Sequence, residues 1–242
     1  MQPHPVLAEH YPDGAGKRAF LTSLFDKGAP FYDTACRIGF FGTGLQYRQM
    51  ALKRAGLRKG MKLLDVATGT GLVARAASNI LGGADDITCV DPSPGMLAEA
   101  RKNLSCTMLE GVADDLPVQD AGFDFLSMGY ALRHVASLKQ AFSEYHRALK
   151  PGGKLMILEV SKPASALGMI IAKAYFGGCV PAAARLLTGS PDAGKMMSYY
   201  WETIEQCVAP SLIIESLEKA GFLRVKRMAR MGIFSEYTAE KA

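Results

Sequence analysis

The nine residues Leu63-Leu-Asp-Val-Ala-Thr-Gly-Thr-Gly71 constrain this chain more than any other feature. They read as a short buried strand that runs into a glycine turn, with a helical pattern starting at Leu72. Gly69 and Gly71 let the backbone turn sharply and approach a ligand with no Cβ in the way. Open α/β sheets bind ligands at such junctions, outside the carboxyl ends of their strands.

The same rhythm continues downstream. Residues 86–91, 107–110, 123–129 and 154–160 are short apolar runs, with helical patterns over 94–103 and 137–149. Strands alternating with helices imply crossover units, hence a doubly wound α/β fold with a mostly parallel, buried sheet. Residues 1–60 precede this core as a helical cap. They comprise a Pro- and Gly-rich lead and helices at 18–26, 31–38 and 45–55, with Gly39, Gly42 and Gly44 between the last two. Residues 61–162 form the ligand-binding core, and residues 163–207 are a helical insertion after the fifth strand. Residues 208–242 add a helix and two strands that complete one domain.

Hydrophobic residues make up 49% and charged ones 21%, which excludes a disordered chain. The net charge of +5 is too small to argue for a nucleic-acid partner, and none is expected. Two basic clusters stand out: Lys53, Arg54, Arg58, Lys59 and Lys62, and then Arg224, Lys226, Arg227 and Arg230. Solvated surface is the simpler reading of both, and a weak affinity for anionic lipid or an acidic partner the next. Five cysteines, an odd number without a C-x-x-C pair, point to reduced thiols. No His, Cys and carboxylate grouping has metal-ligand spacing, so no metal is expected. The N-terminus lacks the basic start and apolar run of a secretory signal. The most apolar stretch, 164–187, is interrupted by Lys173, Gly177, Gly178, Pro181 and Arg185, which argues against a spanning helix. The expected location is the cytoplasm. Peripheral contact with the inner face of a membrane and a homodimer both stay open.

The ligand follows from acidic residues around the glycine turn. The turn also satisfies G-x-G-x-x-A, a dinucleotide pattern that is weak alone. Asp65 lies inside the strand, where it can order the loop built by Ala67, Thr68 and Thr70 but would sit awkwardly beside a pyrophosphate. Asp91, followed by Pro92, ends the second strand, where a carboxylate can accept hydrogen bonds from both ribose hydroxyls. Asp114 and Asp115 follow the third strand, within reach of an adenine amino group. Such an acidic face suits the cationic S-adenosylmethionine, with S-adenosylhomocysteine as product, better than an anion.

Several segments together resemble the ubiquinone/menaquinone biosynthesis C-methyltransferase family, over roughly residues 30–240. They are Asp65-Val-Ala-Thr-Gly-Thr-Gly71, Asp91, Ala113-Asp-Asp-Leu-Pro117, Phe123-Asp124, Leu132-Arg-His-Val135, Leu149-Lys-Pro-Gly-Gly153 and Leu158-Glu-Val-Ser-Lys-Pro163. The resemblance implies a seven-stranded sheet with its last strand antiparallel, S-adenosylmethionine as cofactor, and an electron-rich ring as acceptor. It carries Gly69, Thr70 and Gly71 onto the methionine end of the donor, Asp91 onto the ribose, and Ala113 and Asp114 onto the adenine. Gly129, with Tyr130 after it, falls at the tip of strand four facing the reaction centre, and Met96 packs on the adenine or in the core. The chain departs from the family at Leu72, where an acidic residue is usual, and at Arg133-His134, where Arg-Asn is usual.

Methyl transfer needs alignment and a dry pocket, and its acceptor must lose a proton. His134 is the candidate general base, and Arg133 the candidate group to hold a phenolate or carbonyl oxygen; packing and a salt bridge are their plainer readings. His4 and His10 read as exposed. The insertion carries Tyr175, Phe176, Tyr199, Tyr200 and Trp201, which with Tyr32 and Phe40 are candidates for a lid over a hydrophobic small-molecule acceptor. Carbon and oxygen are the preferred methylated atoms. Nitrogen, sulfur and a non-catalytic cofactor-binding scaffold are alternatives.

Overall fold

A computed structural model describes residues 1–39 and 42–242. Its strands are β1 (Leu63–Val66), β2 (Ile87–Asp91), β3 (Thr107–Glu110), β4 (Phe123–Gly129), β5 (Leu149–Val160), β6 (Phe222–Arg230) and β7 (Phe234–Lys241). They form one sheet in the order β3-β2-β1-β4-β5-β7-β6. The first five are mutually parallel, and β7 runs antiparallel to both its neighbours. The central strand β1 is buried at all four positions, as a strand covered by helices on both faces requires. Leu63 and Ile87 point into one apolar layer, Leu64 and Leu126 into the other. The basic run Arg224, Lys226, Arg227 and Arg230 falls on β6, the outermost strand, where cations discourage pairing with another sheet edge.

The helices of the core are α3 (Leu72–Leu81), α4 (Pro94–Arg101), α5 (Leu138–Ala148) and α9 (Pro210–Lys219). Side-chain caps set two of the starts. Ser93 Oγ accepts from Met96 N with Pro94 in the first turn, and Ser137 Oγ accepts from Gln140 N. Lys53 and Arg54, from the first basic cluster, close the last turn of α2 (Gly44–Ala55).

Four sequence expectations need correction. The first two cap helices are one, α1 (Gly14–Gly39), with Pro30 inside it. β5 begins at Leu149, so Pro151, Gly152 and Gly153 lie within a strand. The N-terminal lead is docked: Leu138 N donates to Met1 O and Val208 N to Pro3 O, His4 is buried, and His10 contacts Glu202 at 2.6 Å. Finally, α6 (Ala166–Ala172), a π-helical stretch (Lys173–Cys179) and α7 (Val180–Thr188) join into one helix of 23 residues. Neither Pro181 nor the two glycines break it. Pro181 follows directly on the π-helical stretch, inside a helix that packing on α1 and α8 holds in place. By length and composition this helix could cross a membrane, yet it packs on α1 and on α8 (Pro191–Glu205).

All five cysteines are free thiols, and Cys89 on β2 and Cys106, just before β3, approach to 3.6 Å.

Candidate active site

The carboxyl ends of β1, β2 and β4 open into a cavity of about 630 Å3, roofed by α1, α2 and α8. That size suits a small-molecule site. The glycine turn forms its floor. Asp65, fully buried in β1, accepts hydrogen bonds from Thr68 Oγ1 and Ser127 Oγ, both at 2.6 Å. Burial pushes its carboxyl up to about 6, against the pull of those two hydroxyls. Gly69 takes a φ of +57°, and a Cβ built there would meet open space, so its bare backbone faces the cavity. Its N–H donates to Asp91 Oδ2 at 2.7 Å, while Ser93 N donates to Asp91 Oδ1 at 2.9 Å. Asp91 is itself pushed up to about 6, first by burial and then by the charges of Asp65 and Asp26. Two residues without glycine's freedom, Ala67 and Tyr130, hold left-handed φ values of 52° and 62° at the tips of β1 and β4. Strain of this kind gathers at functional sites.

Most of the sequence-predicted residues meet here. Ala67, Thr68, Gly69, Asp91, Pro92 and Met96 line one end, continued by Ala113, Asp114 and Asp115. The Asp114 carboxylate accepts from Ala136 N and Ser137 N at 3.0 and 2.9 Å, which fixes the entry to α5. Gly129, Tyr130, Arg133, His134, Tyr32 and Tyr200 line the other end. A Cβ on Gly129 would meet Val73 Cγ2 at 2.5 Å, so this tip has room only for glycine.

Others fall outside. Asp65 lies beneath the loop. Thr70 turns back to donate to Asp33 on α1, and Gly71 packs toward Ala100 of α4. Tyr199 is buried behind His134, stacked at 5.7 Å, rather than on the cavity wall. Phe176 and Trp201 stack on each other at 6.3 Å between the insertion helices, and Tyr175 Oη donates to Gly39 O at 3.4 Å. These four aromatics serve the packing of the insertion. Phe40 lies outside the described residues.

Sequence reasoning missed Arg48 and Lys17. Arg48, on α2, is buried and holds its guanidinium 4.8 Å from the Tyr130 ring. Lys17, Leu21, Phe25 and Tyr32 share one side of α1 at helical spacing. A single continuous helix would have revealed that stripe. Burial lowers the Lys17 ammonium to about 8, offset by nearby Asp114.

The far end of the cavity is therefore cationic. Arg133, wholly buried, donates through Nη1 to Glu159 Oε1 at 2.6 Å and through Nε to Thr203 Oγ1 at 2.9 Å. Its guanidinium lies 3.8 Å from the Tyr200 ring, and Nη2 has no hydrogen-bond partner among the described residues. Both ring nitrogens of His134 are also shielded from solvent and have no partner among the described residues. Burial, and then the Arg133 charge, hold its imidazole well below the usual histidine range, so the ring is neutral.

Comparison with known proteins agrees with this geometry. The sequence model of the ubiE/COQ5 methyltransferase family matches residues 15–241. The demethylmenaquinone methyltransferase of Chlorobaculum tepidum is 34% identical over 216 residues, covering 86% of each chain. The ubiquinone/menaquinone biosynthesis C-methyltransferase UbiE of Shewanella pealeana is 30% identical, over 86% of this chain and 85% of its own. An S-adenosylmethionine-dependent methyltransferase of Thermotoga maritima shares the fold at a TM-score of 0.64 and 21% identity, over 91% of this chain and 99% of that one. Strand order, glycine turn and sequence thus converge: the chain belongs to the ubiE/COQ5 methyltransferase family and is an S-adenosylmethionine-dependent methyltransferase.

Proposed function

We propose that this enzyme methylates a ring carbon of a hydroxylated, hydrophobic aromatic acceptor of the quinol class. The observation that carries the reading is the division of one cavity into a carboxylate end and an end where Arg133, Arg48 and three tyrosines meet. The names of the Chlorobaculum and Shewanella relatives support the same acceptor class.

The residues fit S-adenosylmethionine. Asp91 is placed to accept from ribose hydroxyls, Met96 to pack beside the nucleoside, and Asp114 or Asp115 to meet the adenine amino group. Gly69 presents bare backbone to the methionine end. When bound, the donor supplies an electrophilic methyl group on a sulfonium. At the opposite end, the Arg133 guanidinium lies at the cavity wall and favours the ionised form of a ring hydroxyl, which raises electron density at the ring carbon that attacks; the proton this carbon then sheds passes to solvent. His134 accepts a hydrogen bond from the ring hydroxyl and fixes its direction. The depressed basicity of His134 makes it a poor store for the proton. Its role is orientation, a revision of the general base read from the sequence.

Incubation with the donor and a set of quinols, phenols, amines and thiols, followed by mass spectrometry and NMR, tests the acceptor. Carbon-methylated quinol is the expected product; methylation only at oxygen, nitrogen or sulfur would overturn the reading. His134→Ala should lower turnover about ten-fold, the worth of one hydrogen bond, and leave the pH profile unmoved. A loss of ~100-fold or more that also erases a limb of the profile near neutrality would restore the base.

Donor affinity should respond to pH through Asp91. Its folded carboxyl is raised to about 6, so below that pH the neutral acid has lost acceptor capacity. Calorimetric titration across about pH 5 to 8 should show affinity falling as pH drops through the raised value. A flat profile would show that the ribose is held elsewhere.

A further inference from the structure

The insertion helix shows an arrangement that the methyl-transfer site does not use. Ala172, Phe176, Val180 and Ala184, four residues apart, are its buried row against α1 and α8. The row on the opposite side, Ile170, Ala174, Gly178, Ala182 and Leu186, is exposed at every position. Beside it Leu167, Ile171 and Leu187 are 68%, 60% and 70% exposed. Large exposed aliphatics thus sit at both ends of the helix, all on the outer side. A pure α-helix would not allow this, because a four-residue repeat drifts by about 40° per step. The π-helical stretch Lys173–Cys179 takes more residues per turn and keeps the rows in line.

Charge identifies what covers this face. Residues 161–190 contain Lys162, Lys173 and Arg185 and no Asp or Glu. Lys173 and Arg185 flank the apolar rows three turns apart, and the Lys173 side chain is 66% exposed with Glu205 at 3.5 Å. Next to Arg185, a groove of about 430 Å3 runs between α1, α7 and α8, with Arg185 and Lys195 on its rim and Phe20, Leu24 and Tyr199 inside. A second copy packed antiparallel across Gly178 would bring Lys173 near its partner's Arg185; neither helix carries a carboxylate, and Glu205 of α8 offsets Lys173 but not Arg185. An anionic bilayer meets both demands, since it takes aliphatic side chains below its headgroups and cations at their level.

We propose that the outer face of the Ala166–Thr188 helix lies flat on an anionic lipid surface, with Leu167, Ile170, Ile171, Leu186 and Leu187 inserted and Lys173 and Arg185 at the headgroups. The buried row keeps the helix attached to the body of the enzyme, so it rests on the membrane rather than crossing it. The helix packs on α1 and α8, two of the three elements that roof the cavity.

Co-sedimentation of the full chain with vesicles tests this without any methyl transfer. Binding is expected to vesicles of phosphatidylcholine mixed with phosphatidylglycerol, to weaken in high salt, and to be much weaker with phosphatidylcholine alone. Each cation near the surface should contribute several-fold, so the Lys173→Ala/Arg185→Ala double variant should lose about thirty-fold in partitioning. Ile171→Glu/Leu187→Glu should abolish binding; both substitutions fall on exposed positions, and unchanged thermal melting would verify the fold. Absence of wild-type binding to the mixed vesicles would overturn the proposal. So would equal binding of the wild type and the Ile171→Glu/Leu187→Glu variant. A dimer in sedimentation equilibrium that this variant dissolves would assign the face to a second copy instead.

Discussion

Asp91→Ala should reduce affinity for S-adenosylmethionine by at least ~100-fold, read by calorimetry at neutral pH. The carboxylate stands at the tip of β2 and already orders the glycine turn through Gly69 N. Its removal takes away acceptors for two ribose hydroxyls, and hydrogen bonds to a charged group are worth about 1.5–3 kcal/mol each. Thermal stability should change little by comparison, because opposing effects meet. Gly69 and Ser93 lose an acceptor, but a buried charge disappears as well. The folded carboxyl is raised to about 6, so its stabilising contribution is complete below the unfolded value of about 4 and is lost as pH rises through the raised value. The variant avoids that cost at neutral pH. Unaltered donor affinity would remove Asp91 from the site, whatever the melting temperature.

Arg133→Met should have the largest effect on stability. Arg133 and Glu159 are 0% and 1% exposed, and the guanidinium ties the tip of β4 to β5 and α8. Removing one member of a buried pair leaves an uncompensated charge, at about 3–5 kcal/mol. For a chain of this size that corresponds to a melting temperature lower by roughly 10 °C. Arg133→Met combined with Glu159→Gln should recover much of the loss, because no bare carboxylate then remains. A single variant that melts like the wild type would show that the pair carries no stability. The double variant, once stable, also separates the two duties of Arg133: its turnover should stay low if the guanidinium serves the acceptor.

The core of this fold was legible because each crossover unit writes a local pattern. The apolar run of β1, the glycine turn and the start of α3 at Leu72 fall where the sequence puts them. Asp91 likewise ends β2 as expected. The N-terminal helices and the insertion were less legible, since tertiary packing overrides local signals there. Pro30 denies Asp26 O a helical partner, yet α1 continues, and the Asp26 carboxylate receives Gly95 N at the start of α4. Gly177 and Gly178 read as breaks, but Gly177 lies against Trp201, within a helix already held on two sides. Among the aromatics of the insertion, composition could not distinguish Tyr200, which reaches the cavity, from Tyr199 one residue earlier, which points behind it. That distinction depends on helix rotation, set by contacts distant in sequence.

The wide turn at Lys173–Cys179 also makes the insertion helix sensitive to length. Deleting Gly178 would rotate everything downstream by about 100°, swinging Ala184 away from its neighbours and driving Arg185 into its place. A single codon would thereby exchange an oily exterior for a misfitted interior. Substitutions along this segment should be tolerated far more readily than changes in residue count.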